Sequence, residues 1–541
     1  MMDESLRAQP AVAEGGSGAS PAVLADAMVA WIAERTEAIL RRFFAGPVLP
    51  RFQAGHVIAP ATYTSAIALL KTLHGLGVTR LADAPVEDWI RPFLRAIDGE
   101  RTQTFGSLWL AETLLAWGPF AGNPLLEGLS DAERANLAQA CDTTHIYTAD
   151  GTIGEWSTNY WMVLAEAERA RQRLGLLTDT AILEAAVEKC RQLQAGDAPE
   201  FFDDSATQVG RYDSYSMGAR ALGTLAMENG AFVAYGRSIG FLSICATIGH
   251  AATAIREGLD DDPGRILALA ANAWAQVPAW YRDDLIAAHR DRMTDGYRGP
   301  QRLLEMSIDC LQALAGAAGV LRTLPPPPPP QGPLFPPRDE LIRFDARTAG
   351  VWIFRNAHLA FQLPFVSAWL GADYTPWLHS PGLFENPWDC PTRFGVPVAL
   401  IDGKAFGPGE LPASVTKFPG GLTLTYASLL EEVAHGWMPN PAWRRIAAEL
   451  SLTWRVVDDC IHLEQRLLLP QAPDGLAIHI PQARRPLAVE VVQCTVPFSQ
   501  DTVVVEGMGQ YRSCWGPLTA IHALHLAPAA EIGVHWIVRA H

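Results

Sequence analysis

Two tyrosines three residues apart, three aspartates and two arginines crowd into "FFDDSATQVGRYDSYSMGARAL", residues 201–222. On a helix Tyr212 and Tyr215 share one face, with Asp203, Asp204 and Asp213 close by in sequence. A phenol whose ordinary pKa is ~10 abstracts a proton near neutrality only if a neighbouring cation lowers it. A candidate cation stands in "FVAYGRSIGFLSICATIGHA", where Tyr235 and Arg237 open an otherwise apolar helical stretch. An arginine there must pair with a buried carboxylate such as Asp203 or face a cleft. A third strip, "GEWSTNYWMVL", places Glu155, Trp156, Asn159 and Tyr160 at a predicted helix start, with Ser157 or Thr158 as its cap. Capping accounts equally for Asp213 and Ser214; it leaves the tyrosines and the Asp203–Asp204 pair unexplained.

Motifs of high specificity are absent. The sequence has no phosphate-binding loop, no dinucleotide fingerprint, no H-E-x-x-H and no G-x-S-x-G. Its 14 His show no ligand spacing, and its 8 Cys form no C-x-x-C pair, so no metal, no cofactor and no disulfide framework is expected. A net charge of −16 argues against nucleic acid and anionic membranes. An anionic substrate would then need a local basic pocket. The N-terminal stretch "MMDESLRAQPAVAEGGSGASPAV" lacks the charged and apolar regions of a signal peptide, and no apolar run reaches about 18 residues. The expectation is a cytoplasmic protein of undetermined oligomeric state, without membrane or nucleic-acid partners.

The elements that must hold these residues fall into two textures. A chain of 541 residues is long enough for two large domains. Helical periodicity runs through "PAVLADAMVAWIAERTEAILRRFF", "VEDWIRPFLRAI", "SLWLAETLLAWG", "NYWMVLAEAERARQRLG" and "TAILEAAVEKCRQLQ". After the polyproline segment "LPPPPPPQGPLFPP" the pattern alternates, as in "GLTLTYASLLEEV", "AAELSLTWRVVDDCIHLEQRLLL" and "EIGVHWIVRAH". We therefore expect a disordered tail (1–21), an α/α toroid (22–323), a Pro-rich linker (324–338) and an antiparallel β-sandwich (339–541), a multidomain α+β chain with a cleft near the junction. Within the second half "WLHSPGLFENPWD" is too rich in proline for a central strand. A long loop there would carry Trp377, His379 and Glu385.

Four pieces, "TNYWMVLAEAERARQRLG", "RYDSYSMGARAL", "AYGRSIGFLSICA" and "HSPGLFENPWDCPTRFGVPVALIDGKAF", resemble the domain-of-unknown-function family 2264 in content and order, over roughly residues 25 to 510. That family is distantly similar to polysaccharide lyases of the chondroitinase and heparinase type, which combine an α/α toroid with antiparallel sheets. The resemblance implies Asn159, Tyr212 or Tyr215, and Arg237 as catalytic residues. The lyase histidine has no match: the corresponding strip offers Asp203, Asp204 and Gln208 instead.

The functional expectation is a carbohydrate-active enzyme, a lyase performing β-elimination on a uronic-acid glycan or oligosaccharide. Tyr215 or Tyr212 would act as base and acid, Asn159 and Arg237 would neutralise the uronate carboxylate, and Asp203 would hold Arg237 or replace the missing histidine. Asp204, Glu155, Trp156, Tyr160, Tyr235, Trp377, His379 and Glu385 are the expected substrate-binding residues. A glycoside hydrolase using paired carboxylates, a toroid cyclase or dehydratase acting on an apolar substrate, and a non-catalytic sugar-binding protein are the competing readings.

Overall fold

Apolar residues recurring every three or four positions make the first half helical. In α1 (Pro21–Phe43) the ridge Leu24, Met28, Ile32 and Leu40 is buried. Thr36 lies on the same stripe and is satisfied by donating to the Ile32 carbonyl at 2.8 Å. A computed structural model of the chain describes residues 21–43, 60–146 except 101 and 103, 159–196 except 178, 304–323 and 337–343. Further on it describes 350–365 except 357 and 358, 394–431 except 409 and 410, 444–504 except 483–486, 512–513, 516–517 and 520–540.

After α1 come α2 (Pro60–Gly75), a short hairpin of β1 (Arg80–Leu81) and β2 (Ala84–Pro85), α3 (Val86–Ala96) and α4 (Phe105–Ala116). They are followed by α5 (Asp131–Ala140), α6 (Asn159–Leu174), α7 (Ala181–Gly196) and α8 (Leu304–Thr323). Helix α5 opens with a reciprocal capping box between Ser130 and Glu133, which satisfies two amides left free at the helix start. Helix α2 packs on α3 and α4, α4 on α6, and α6 on α7. Helix α8, far along the chain, returns to pack on α1 and α2, and Arg322 fastens it by bonding Asp26 at 2.9 Å and the Leu76 carbonyl at 2.5 Å.

Beyond residue 337 the described elements are strands. A three-stranded sheet of β3 (Arg338–Arg343), β4 (Gly350–Arg355) and β5 (Ala360–Phe365) comes first. A larger antiparallel sheet takes β6 (Pro397–Ile401), β7 (Lys404–Gly407), β8 (Ser414–Phe418), β9 (Gly421–Glu431), β10 (Arg445–Val457), β11 (Cys460–Leu468) and β12 (Gly475–Gln482). It also takes β13 (Leu487–Cys494), β14 (Phe498–Val504), β17 (Ala520–Leu526) and β18 (Glu531–Ala540), while β15 (Arg512–Ser513) and β16 (Gly516–Pro517) pair separately. The path across the large sheet is β13-β18-β11-β10-β9-β7-β6-β12-β17-β14, with β8 beside β9.

Strict alternation puts one row of side chains inside. Leu422, Trp454, Leu463 and Trp536 lie opposite one another across β9, β10, β11 and β18, and all four are buried. The turn between β10 and β11 is made by Asp458 and Asp459, both with positive φ, the geometry of a tight two-residue hairpin. Gln465, on the inner face of β11, donates at 2.7 Å to the carbonyl of Gly395, whose own amide bonds His479 on β12. Since β10, β9, β7 and β6 stand between β11 and β12, the sheet curls until these strands face each other, nearly as a barrel. This is how the expected large antiparallel region layers itself.

Asp339 joins the small sheet to the large one. Its carboxylate accepts from Trp352 Nε1 at 2.8 Å, from the Gly420 amide at 2.7 Å and from Lys417 Nζ at 2.7 Å. Burial alone pushes Asp339 up, but those three donors outweigh it and hold the carboxyl below its ordinary range.

Candidate functional site

Helix α6 begins at Asn159, the position at which the sequence analysis opens a helix. The ring of Tyr160, its second residue, meets Phe105 edge-on at 5.7 Å between centroids. Phe105 is the first residue of α4 and packs at 5.8 Å on Trp109, one turn along the same helix. All three rings are half-buried. They form an aromatic wall where α4 and α6 begin, a surface suited to the apolar face of a ring-shaped ligand.

The placement of Phe105 follows from close packing at the start of α4. Gly106 lies against α2, and a Cβ there would come within 3.1 Å of Thr64 Oγ1 and 3.2 Å of Thr102 Cγ2, so glycine allows the approach. Ser107 donates to the Ala140 carbonyl at 2.7 Å, tying α4 to the end of α5. Thr104, just before the helix, holds a positive φ of 53°, a left-handed conformation that a β-branched residue seldom takes. Such strain is maintained only where the surroundings impose it.

Further along α6, more than two turns from Asn159, lies a buried ion pair. Glu168 of α6 is wholly buried and accepts from Arg171 Nη1 at 2.8 and 2.6 Å, one contact to each carboxylate oxygen. It also accepts from the Thr143 amide at 3.2 Å and from the Thr143 hydroxyl. Arg171 Nη1 lies 3.0 Å from Asp142 Oδ1, which takes the Thr144 amide at 2.9 Å and the Thr144 hydroxyl at 2.7 Å. Burial pushes the Asp142 carboxyl up, yet Thr144 and Arg171 overcome it and leave the group below its ordinary range. The neighbouring Cys141 thiol is pushed up to about 12 by burial, which keeps it protonated and unreactive.

Of the residues singled out in the sequence, the structure places the Asn159 backbone and Tyr160 together at the head of α6. Glu155, Trp156, Asp203, Asp204, Tyr212, Tyr215, Tyr235, Arg237, Trp377, His379 and Glu385 lie outside the described residues. The sequence analysis did not single out Phe105, Trp109, Glu168 or Arg171. Four-residue spacing in "FGSLW" puts Phe105 and Trp109 on one face, and "EAERAR" shows the Glu168–Arg171 pair; neither pattern shows what it packs against. No group of three side chains able to hold a metal occurs among the described residues. No helix among them is long and apolar enough to cross a membrane.

The described architecture, helices followed by a large curled antiparallel sheet, is similar to that of solved polysaccharide lyases. The chain is similar in structure to the chondroitin AC lyase of Streptomyces coelicolor A3, with TM-score 0.50 and 13% identity over 97% of this chain and 81% of that one. The same lyase in complex with chondroitin sulphate aligns with TM-score 0.48 and 13% identity, over 97% and 80% of the two chains. The heparan sulfate lyase of Pedobacter heparinus aligns with TM-score 0.22 and 9% identity, over 96% and 88%. No protein-family model matches the sequence, and no curated protein matches it.

Proposed function

We propose that this protein is a carbohydrate-active lyase that cleaves a uronic-acid-containing oligosaccharide by β-elimination. The observation that carries the reading is the fold shared with the Streptomyces coelicolor lyase along 97% of this chain. The aromatic wall at Asn159 and Tyr160 adds local support. The return of α8 to α1 and α2 supports a closed α/α toroid over residues 22–323, and the curled sheet supports a sandwich-like domain over 339–541. The quoted strips support a place in family 2264.

In this reading Asn159 and Arg237 bind the uronate carboxylate and offset its charge as C5 loses its proton, which the net charge of −16 otherwise opposes. Tyr215 or Tyr212, its pKa lowered by Arg237, takes that proton. The electron pair forms the C4=C5 double bond, the C4–O bond breaks, and the tyrosine returns the proton to the leaving oxygen. His379 is the residue proposed to take the place of the unmatched lyase histidine, and Asp203 to hold Arg237. Phe105, Trp109 and Tyr160 carry the sugar rings.

Digestion of chondroitin, heparan and other uronate oligosaccharides, followed by the ultraviolet absorbance of the unsaturated uronate, tests the reading. Arg237→Ala, and one of the two single substitutions Tyr215→Phe and Tyr212→Phe, are expected to lower turnover by at least about a hundredfold, the typical weight of a positioned acid–base group. New reducing ends without the absorbance, lost on replacing Asp203 or Asp204, would instead establish a hydrolase. Binding without any product would establish a sugar-binding protein.

A further inference from the structure

We propose that Glu168 and Arg171 are positioning residues that set the first turn of α6, with Asn159 and Tyr160, against the approach segment 142–146. The inference rests on that helix start belonging to the lyase site proposed above.

The geometry is a clamp. The pair stands one turn apart on α6 and grips three consecutive residues of the approach. Glu168 holds the amide and hydroxyl of Thr143, and Arg171 holds Asp142, which in turn holds Thr144. Two residues further on, Ile146 packs against the buried cluster of Trp161, Met162, Leu164, Ala165, Ala186 and Cys190, on which Tyr160 also rests. A shift of segment 142–146 therefore reaches the underside of Tyr160 through Ile146. The other end of the tyrosine is braced by Phe105.

An ion pair is a costly way merely to fix a helix. A buried pair adds little net stability over apolar side chains of the same volume, and Arg171 Nε is buried here without a hydrogen-bond partner. What the carboxylate adds is direction. Its oxygens accept from fixed donors and so specify one position for the Thr143 amide, where a leucine would tolerate sliding. A mechanism that must place the Asn159 amide against a uronate carboxylate, with the sugar ring held on Tyr160, needs that kind of constraint, because a misplacement of about 1 Å can cost about a hundredfold in rate.

The test uses the full chain with Glu168→Gln, which keeps one acceptor for Thr143, and the charge-free double variant Glu168→Leu/Arg171→Leu. For the double variant we expect a melting temperature within a few degrees of the unaltered protein. We also expect kcat on an unsaturated-product assay to fall by roughly ten- to a hundredfold, with KM changing less than about threefold, and Glu168→Gln to fall between. Full kcat in the double variant overturns the proposal.

A second readout is independent of activity. In spectra of methyl-labelled methionine the Met162 resonance should move in both variants while that of Met28, in α1, stays in place. An unmoved Met162, or equal movement of Met28, also overturns positioning. If the unaltered protein yields no unsaturated product from any uronate, the lyase reading fails by itself and the methionine spectra still decide the clamp.

Discussion

In the helical half, a buried carboxylate, Glu168, and a buried guanidinium, Arg171, in the second half of α6 meet Thr143, while the Ser107 hydroxyl ties the start of α4 to the end of α5. In the large sheet, two ion pairs stand on the solvent face instead. Arg466 meets Glu531 at 2.7 Å and Arg539 meets Glu490 at 2.8 Å. The inside of that sheet is a ladder of Leu422, Trp454, Leu463 and Trp536. Gln465 and Gln482 are buried polar exceptions among the described residues of that sheet, and Gln465 Oε1 has no hydrogen-bond partner among them. The contrast separates two ways of being rigid: apolar interdigitation holds a shape, whereas directed buried polar contacts hold particular atoms in place.

Removing one element from each half puts the contrast under the largest load. Glu168→Ala leaves Arg171 as an uncompensated buried charge and should destabilise by about 3–5 kcal/mol. Trp454→Ala opens a cavity in the ladder at a similar cost of about 3–5 kcal/mol. Urea unfolding distinguishes the causes: an added Arg171→Leu should restore much of the first loss, and no charge change should repair the second. If both losses respond alike, the two halves are not held differently.

Acid should act next, and chiefly on the sheet. His479 is half-buried, and burial together with the nearby His525 lowers its pKa to about 4. The unfolded chain protonates near the ordinary value of ~6.5 while the folded chain does not, so the unfolded state binds more protons between these values. The contribution of His479 is therefore complete above pH ~6.5 and is lost as the pH falls toward 4, by up to about 2 kcal/mol. Melting curves at pH 7, 5.5 and 4.5 should show this slope, and His479→Asn should flatten it. A slope unchanged by the substitution would mean that other groups govern acid sensitivity.

The smallest expected effect is Ser130→Ala. It removes the cap of α5, whose hydroxyl takes the Glu133 amide at 3.2 Å, and should cost about 1 kcal/mol. Turnover should be unchanged, because the change lies at the far end of α5 from residues 142–146. A loss of activity at unchanged stability would extend the positioning network further than drawn.

Much of the local structure was legible in the sequence. The helix opening at Asn159, the alternating strands on both sides of Asp458–Asp459 and the turn at those two residues all follow from periodicity and turn chemistry over a few residues. The meeting of Phe105 with Tyr160 was not legible, because it depends on the depth to which α4 sinks against α2 at Gly106. Nor was the burial of Glu168: a Glu–Arg pair three apart on a helix usually marks a solvated face, whereas here α4 and α7 pack on α6 and Thr143 bonds the carboxylate.

The sequence by itself determined where helices and strands start, which faces are apolar and which residue types could do chemistry, since these depend on spacing along the chain. The tertiary structure decided the strand path, the curl that brings Gln465 to Gly395, the return of α8 to α1 and the clamp of Glu168 on Thr143. Each joins residues distant in sequence, and such contacts are selected by competition among long-range packings that no local pattern records.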